Sequence, residues 1–408
     1  MLLPILQTSL LALSFMTAGQ SPKVDIGLFS LFKPEAVNVR IASGEGALLD
    51  SSVPGVARHI APGDVVRIRV TGNRLNITVV DSSGNAAQSV NASVVRLVPQ
   101  GSASLELAIP GKIRREVRGE LSVFPARNTA RPRLTIALST GRESAVASVV
   151  AAELAGSKPT EAIKALAVTA RTYMLFHSGR HADEGFDFCD TTHCQLYRGE
   201  SDLSAQTASP AVATAVAATG GEYLSLSGKP IEGFYTAVCG GLSATPEMVW
   251  GGKTTSGYNY RRIACQWCEA SRFFKWERSA SVASVLAAIS VATGYRLSPE
   301  ARIDAQTGGS GNFVARVVIS DLRRTELSAD EFRSAIGRRL GWNTVLSPSF
   351  TIEKRGRVFV FGGRGFGSQV GLCEAGASAQ AAAGRGYRDI LKFYYPGAEI
   401  ATEDKTRE

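Results

Sequence analysis

One acidic side chain, Glu153, stands in the alanine- and valine-rich run VASVVAAELAGSKP. Glu143 to Leu154 is helical by composition and Gly156 reads as the stop, so the carboxylate falls in the last turn of a helix. The macrodipole is negative there and a cation is the usual occupant. Val149, Val150 and Leu154 add desolvation. Both effects push a carboxyl pKa upward, towards a group that holds a proton near neutrality and can act as a general acid. Spacing alone favours the plainer reading of an exposed Glu at a frayed helix end.

A second constellation is HADEGFDFCDTTHC, which offers His181, Cys189, His193 and Cys194. Two nitrogens and two sulfurs are an adequate set for a tetrahedral structural zinc, although the spacing is not that of a finger. The competing reading is disulfides in an exported protein, Cys189 with Cys194 and Cys239 with Cys265 or Cys268. CQWC, Cys265 to Cys268, reads equally as a second metal half-site, and Cys373 as a small buried hydrophobe. No zinc is expected to take part in catalysis. The glycine-rich FGGRGFGSQVG lacks the strand, G-x-G-x-x-G and helix context of a phosphate loop, so no nucleotide is expected.

The elements that must position these groups divide the chain. Residues 24–138 carry short β-type runs broken by turns, among them DVVRIRV (Asp64 to Val70), LNITVV (Leu75 to Val80), ASLELAI (Ala103 to Ile109) and RLTIALS (Arg133 to Ser139). This is a β-rich module without evident chemistry. Residues 139–400 change character. Pro159 suits a first helical turn, and Ile163, Ala167, Ala170 and Met174 repeat at helical spacing to about His177. Further helices are expected over Ala280–Thr293, Ala329–Leu340 and Ala375–Lys392, with hairpins at GEYLSLSGKPIEGFYTAVCGG and SFTIEKRGRVFVFGG. Residues 401–408 are a polar tail. The fold class is α+β, a mixed α/β domain preceded by the β-rich module.

The 45 basic and 36 acidic residues leave a net charge of +9, spread without a Lys/Arg run, which excludes a nucleic-acid tail and suits contact with an anionic polymer such as a cell wall. Residues 1–22 resemble a secretory apolar region ending near Ala18 to Gln20, without the basic start a signal needs. They are too short and too interrupted for a membrane span. Export to the periplasm, cell wall or exterior is the expectation.

Four segments, in order, resemble the SpoIID/LytB family of stage II sporulation proteins D and amidase enhancers. VASVVAAELAGSKPTEAIKALAVTARTYML is similar to its core motif, with Glu153, Pro159 and Glu161 to Tyr173 in the matching places. CDTTHCQLYRG resembles its cysteine-flanked stretch, TGGEYLSLSGKPIEGFYTAVCGGLSATPEMVW its strand pair ending in C-G-G, and GRGFGSQVGLCEAGASAQAAAGRGYRDILKFYYPGAEI its terminal loop, helix and Y-Y-P-G ending. The resemblance covers roughly Leu134 to Ile400. It implies a peptidoglycan lytic transglycosylase in which Glu153 protonates the MurNAc–GlcNAc glycosidic oxygen and its conjugate base then deprotonates the muramic 6-hydroxyl, giving 1,6-anhydro-MurNAc ends. It also implies that Arg171 helps bind the sugar, and makes Tyr173, Gln195 and Tyr235 candidates for the substrate groove. No cofactor is required for catalysis, and some similar proteins hold zinc near the stretch that matches His181 to Cys194, where a structural zinc and disulfides both stay open. The rival reading is a non-catalytic peptidoglycan-binding enhancer of an N-acetylmuramoyl-L-alanine amidase, with glycan strands and the amidase as partners. One departure stands out: the family's glycine loop usually reads G-H-G-V-G-x-x-Q, whereas here Ser368 and Gln369 replace His and Gly, and Glu374 stands in place of Gln.

Overall fold

The computed structural model describes residues 22–51, 58–154, 158–199, 209–252, 254–308 and 313–403. The signal-like segment and the end of the polar tail lie outside the described residues. No helix among them is long and apolar enough to cross a membrane.

Period-two alternation builds the first half. In Val65–Thr71, Val66, Ile68 and Val70 are buried while Arg67 and Arg69 face outward. A six-stranded sheet runs in the order 113–117, 104–109, 36–43, 65–71, 74–80, 90–92. A seven-stranded sheet runs 188–189, 23–27, 134–141, 120–125, 95–99, 47–51, 58–60. Lys23–Gly27 lies between Leu134–Gly141, antiparallel with Val24 opposite Thr140, and Phe188–Cys189, parallel with Gly27 opposite Cys189. The boundary read at 138/139 therefore falls inside a strand, and the β-rich module shares one hydrophobic core with the helices C-terminal to it.

Gly141 ends that strand and starts helix α1 (Arg142–Glu153), which buries Ala145 to Val150. It packs on α2 (Thr160–Phe176), buried along most of its length from Ala162 to Met174. The α2 threonines satisfy themselves within the helix: Thr169 and Thr172 donate to the carbonyls of Ala165 and Val168 at 2.9 and 2.6 Å. Thr172 Oγ1 also accepts the Leu224 amide at 2.8 Å, fixing the strand Glu222–Leu226. Helix α3 (Ser209–Ala218), which composition did not single out, joins this bundle, followed by the short α4 (Pro246–Trp250).

Residues 275–364 form a separate small unit with its own core. It contains α5 (Val282–Thr293), α6 (Ala329–Leu340) and two three-stranded sheets around Val285, Ile289, Val317, Phe332, Ile336, Phe350 and Phe361. Helix α5 begins two residues later than its composition suggests because Ser281 caps it, accepting the Ser284 amide at 3.1 Å. A full capping box between Ser328 and Glu331 starts α6. The single terminal helix expected over Ala375–Lys392 is two, α7 (Glu374–Ala382) and α8 (Tyr387–Tyr394), interrupted at Gly384 with φ +86°.

Candidate functional site

Glu153 is the last residue of α1, and no basic residue occupies that last turn. Its carboxyl is half-buried rather than out in solvent. Desolvation raises its pKa above the ordinary range, against the opposing pull of the Leu196 amide, the Tyr235 hydroxyl and the Arg198 guanidinium. Tyr235 donates to Glu153 Oε1 over a long 3.4 Å.

Tyr235 and Thr236 form a two-residue parallel pairing with Leu372 and Cys373. The approach is tight enough that a Cβ at Gly371, which has φ +76°, would collide with the Phe234 carbonyl. This pairing places Glu374, the first residue of α7, beside the same tyrosine. Burial raises the Tyr235 pKa, and Glu153 and then Glu374 raise it further. Glu374 is itself raised well above the usual carboxyl range, by desolvation first and then by Glu153, against the pull of Lys158. Gln195, which is 3% exposed, lies alongside the Tyr235 hydroxyl and donates Nε2 to the Ala170 carbonyl at 3.3 Å. Its Oε1 is buried without a hydrogen-bond partner among the described residues. Glu153, Tyr235, Gln195 and Glu374 thus converge on one locus.

Two expected groove residues are buried. The Arg171 side chain is fully buried, bidentate to Glu143 at 2.7 and 2.6 Å and bonded to the Glu222 carbonyl at 2.8 Å. It ties α2 to the start of α1 and presents no exposed surface to a sugar. Tyr173 is buried among Phe188, Phe234 and His177, its hydroxyl accepting from Arg180 at 3.0 Å. Arg171→Met is expected to lower stability by about 3 kcal/mol, the lower end for a broken buried pair because Glu143 keeps solvent contact. Urea unfolding checks this; unaltered stability would mean that the pair with Glu143 is not a structural tie.

The departures in the glycine loop resolve differently from one another. Gln369 is 1% exposed, takes φ +64° and donates Nε2 to the carbonyls of Cys239 and Arg364 at 2.7 and 3.2 Å, so it braces the loop. Ser368 Oγ accepts the Val370 amide at 3.3 Å. Glu374 is the departure that reaches the site. The sequence signal was that Glu374 stands where the resembled family usually has Gln.

The ligand atoms of His181, Cys189, His193 and Cys194 all lie within 4.8 Å of one another. Cys194 Sγ is 3.3 Å from His181 Nε2, and both sulfurs are 3.7 Å from His193 Nδ1. His181 turns its other nitrogen to Glu184 Oε1 at 2.7 Å, the outer partner that orients a metal-bound imidazole. The set fits a tetrahedral zinc, and none of the six cysteines is in a disulfide. Cys194 is followed directly by Gln195 and Leu196, so this knot positions two of the groups around Glu153. Its far side is clamped to the β-rich module. Asp190 accepts the Phe29 and Ser30 amides at 2.7 and 3.1 Å and Arg115 Nη1 at 2.6 Å. A second group of four, Cys239, Cys265, Cys268 and Cys373, is gathered as closely. Cys373 is buried as expected, but it belongs to this cluster rather than filling space alone.

Residues 132–226 match the SpoIID family model, described as stage II sporulation protein. The chain is 29% identical over 297 residues to an uncharacterized protein of Brachyspira hyodysenteriae, covering 72% of this chain and 74% of that one. It is 29% identical over 274 residues to stage II sporulation protein D of Bacillus subtilis (strain 168), covering 64% of this chain and 75% of that protein. Similarity to the amidase enhancer of Bacillus subtilis (strain 168) is 23% over 296 residues, 62% of this chain and 40% of that larger protein.

Proposed function

We propose, from the match of residues 132–226 to the SpoIID family model and the similarity to stage II sporulation protein D and an amidase enhancer, that the chain is an exported peptidoglycan lytic transglycosylase with Glu153 as acid and base. The observation that carries this reading is the half-buried carboxyl at the negative end of α1, held against Tyr235 with its pKa raised. Such a group stays protonated long enough to donate to the glycosidic oxygen between MurNAc and GlcNAc. Its conjugate base then takes the proton of the muramic 6-hydroxyl as that oxygen attacks the anomeric carbon. The glycosidic bond breaks, a 1,6-anhydro ring closes, and Glu153 is returned protonated. Tyr235 orients the carboxyl, and the unpartnered Gln195 Oε1 offers an acceptor to a sugar hydroxyl. His181, Cys189, His193 and Cys194 hold a structural zinc that keeps Gln195 and Leu196 in place. The net charge of +9 supports approach to an anionic wall.

The test is mass spectrometry of glycan strands, stripped of stem peptides, after incubation in oxygen-18 water. Anhydro ends free of the label are expected. Labelled reducing ends would instead mark a hydrolase that uses Glu153 and Glu374 as the two flanking carboxyl groups of an ordinary glycosidase. The similarity to an amidase enhancer supports a second reading, a glycan-binding protein that stimulates an amidase. It wins if no cleaved ends of either kind form while amidase turnover rises.

A further inference from the structure

We propose that Cys239, Cys265, Cys268 and Cys373 bind a single tetrahedral metal ion of the zinc class, a second metal centre distinct from the one at His181 to Cys194. The four sulfurs come from three separate stretches of chain: the loop after Tyr235–Thr236, the 3-10 turn at Gln266–Cys268, and the start of α7. All four residues are at most 1% exposed, and all four Sγ atoms lie within 4.8 Å of one another, Cys239 and Cys268 at 3.5 Å. A tetrahedral ion with zinc–sulfur bonds of about 2.3 Å sets its sulfurs about 3.8 Å apart. A multi-iron cluster binds each cysteine to a different iron or spreads them over two, and holds the sulfurs wider than this.

The surroundings are those of bound thiolates rather than of stored thiols. Cys373 Sγ accepts the Cys239 amide at 3.3 Å and the Gly376 amide at 3.4 Å, and it sits at the N-terminus of α7, where negative charge is favoured. The Tyr394 hydroxyl lies 3.2 Å from Cys265 Sγ. Outer hydrogen bonds of this kind orient ligands and spread their charge. Gly376 keeps the space clear: a Cβ there would strike the Tyr394 hydroxyl and come within 2.9 Å of Cys265 Sγ. Trp267, between the paired cysteines, is covered by the Arg385 guanidinium at 5.0 Å.

The place of the cluster gives it a purpose. Cys268 lies just before the small unit at residues 275–364, and Cys373 just after it. One ion therefore closes the long excursion at its neck, which removes the loop entropy of the unfolded chain. Cys373 also precedes Glu374, so the same ion fixes where α7 enters the site. Loading proceeds with release of the thiol protons to solvent as the sulfurs bind.

The test is native mass spectrometry and elemental analysis of the full chain purified under reducing conditions. Two equivalents of zinc per chain are expected, one remaining in Cys265→Ser/Cys268→Ser and one in His193→Ala/Cys194→Ser. To guard against a serine variant that fails to fold, wild type is also loaded with cobalt, where an all-sulfur site shows stronger sulfur-to-metal charge-transfer absorption than one with two sulfurs and two nitrogens. One equivalent in wild type, or peptide maps showing two disulfides among these four cysteines, overturns the proposal. Bound iron overturns the zinc-class assignment. None of these readouts depends on glycan cleavage.

Discussion

Glu153→Gln is expected to lower the rate of anhydro-end formation by a factor of about 10²–10⁴, the span of a lost general acid and base. Binding to glycan strands should persist, because the amide keeps the shape of the carboxyl and can still accept from Tyr235. The variant should also be more stable than wild type at neutral pH. The folded-state pKa of Glu153 is raised by desolvation. Below the unfolded pKa both states hold the proton and wild type is at full stability. As pH rises through that value, the unfolded chain ionises while the folded one must retain a proton or bury a charge, so stability falls until the folded pKa is passed. Melting curves of wild type and Glu153→Gln should therefore coincide near pH 4 and separate by pH 8, the variant melting higher. Cleavage by wild type should decline over the same rise. Equal melting at both pH values would mean that the carboxyl is solvated, and the acid–base role would go with it.

Asp190→Ala is expected to cost about 3–5 kcal/mol, because it strands the Arg115 guanidinium and two amides that share one carboxylate. Only 4% of the Asp190 side chain and 10% of that of Arg115 are exposed, so solvent replaces little of what is lost. For a chain of this size the shift in melting temperature is roughly 5 °C. Arg115→Ala should cost nearly as much, and the double variant much less than the sum, since the two act as one unit. Chemical denaturation of all three variants checks the cycle. Additive losses would mean that the loop of metal ligands and the β-rich module are not coupled through this pair.

Local chemistry was legible in the sequence where one element decides the outcome. The helix ending at Glu153 and the strand at Val65–Thr71 follow from composition and alternation within a few residues. The helix at Ala329–Leu340 was legible to the residue because a capping box starts it. The ligand quartet at His181 to Cys194 sits in one short stretch, so proximity in sequence is proximity in space. What could not be read depends on chain reversals. Arg171 shares a helix with Tyr173, another expected groove residue, but only the packed structure shows it buried against Glu143 and the Glu222 carbonyl. Cys373 lies far along the chain from Cys268, and nothing local indicates that a parallel pairing of two residues brings it back to Cys239. Glu374 was flagged only as an odd residue, and it needed the same pairing to reach Tyr235.

The short strand Lys23–Gly27 is among the first described residues to leave the ribosome, yet its partners are Leu134–Gly141 and Phe188–Cys189. It must wait unpaired while more than a hundred residues are made, although Leu134–Gly141 has Glu120–Pro125 as its other neighbour. The seven-stranded sheet is therefore complete only once residue 189 has been made, a long-range closure that comes after the six-stranded sheet of residues 36–117 has all its strands.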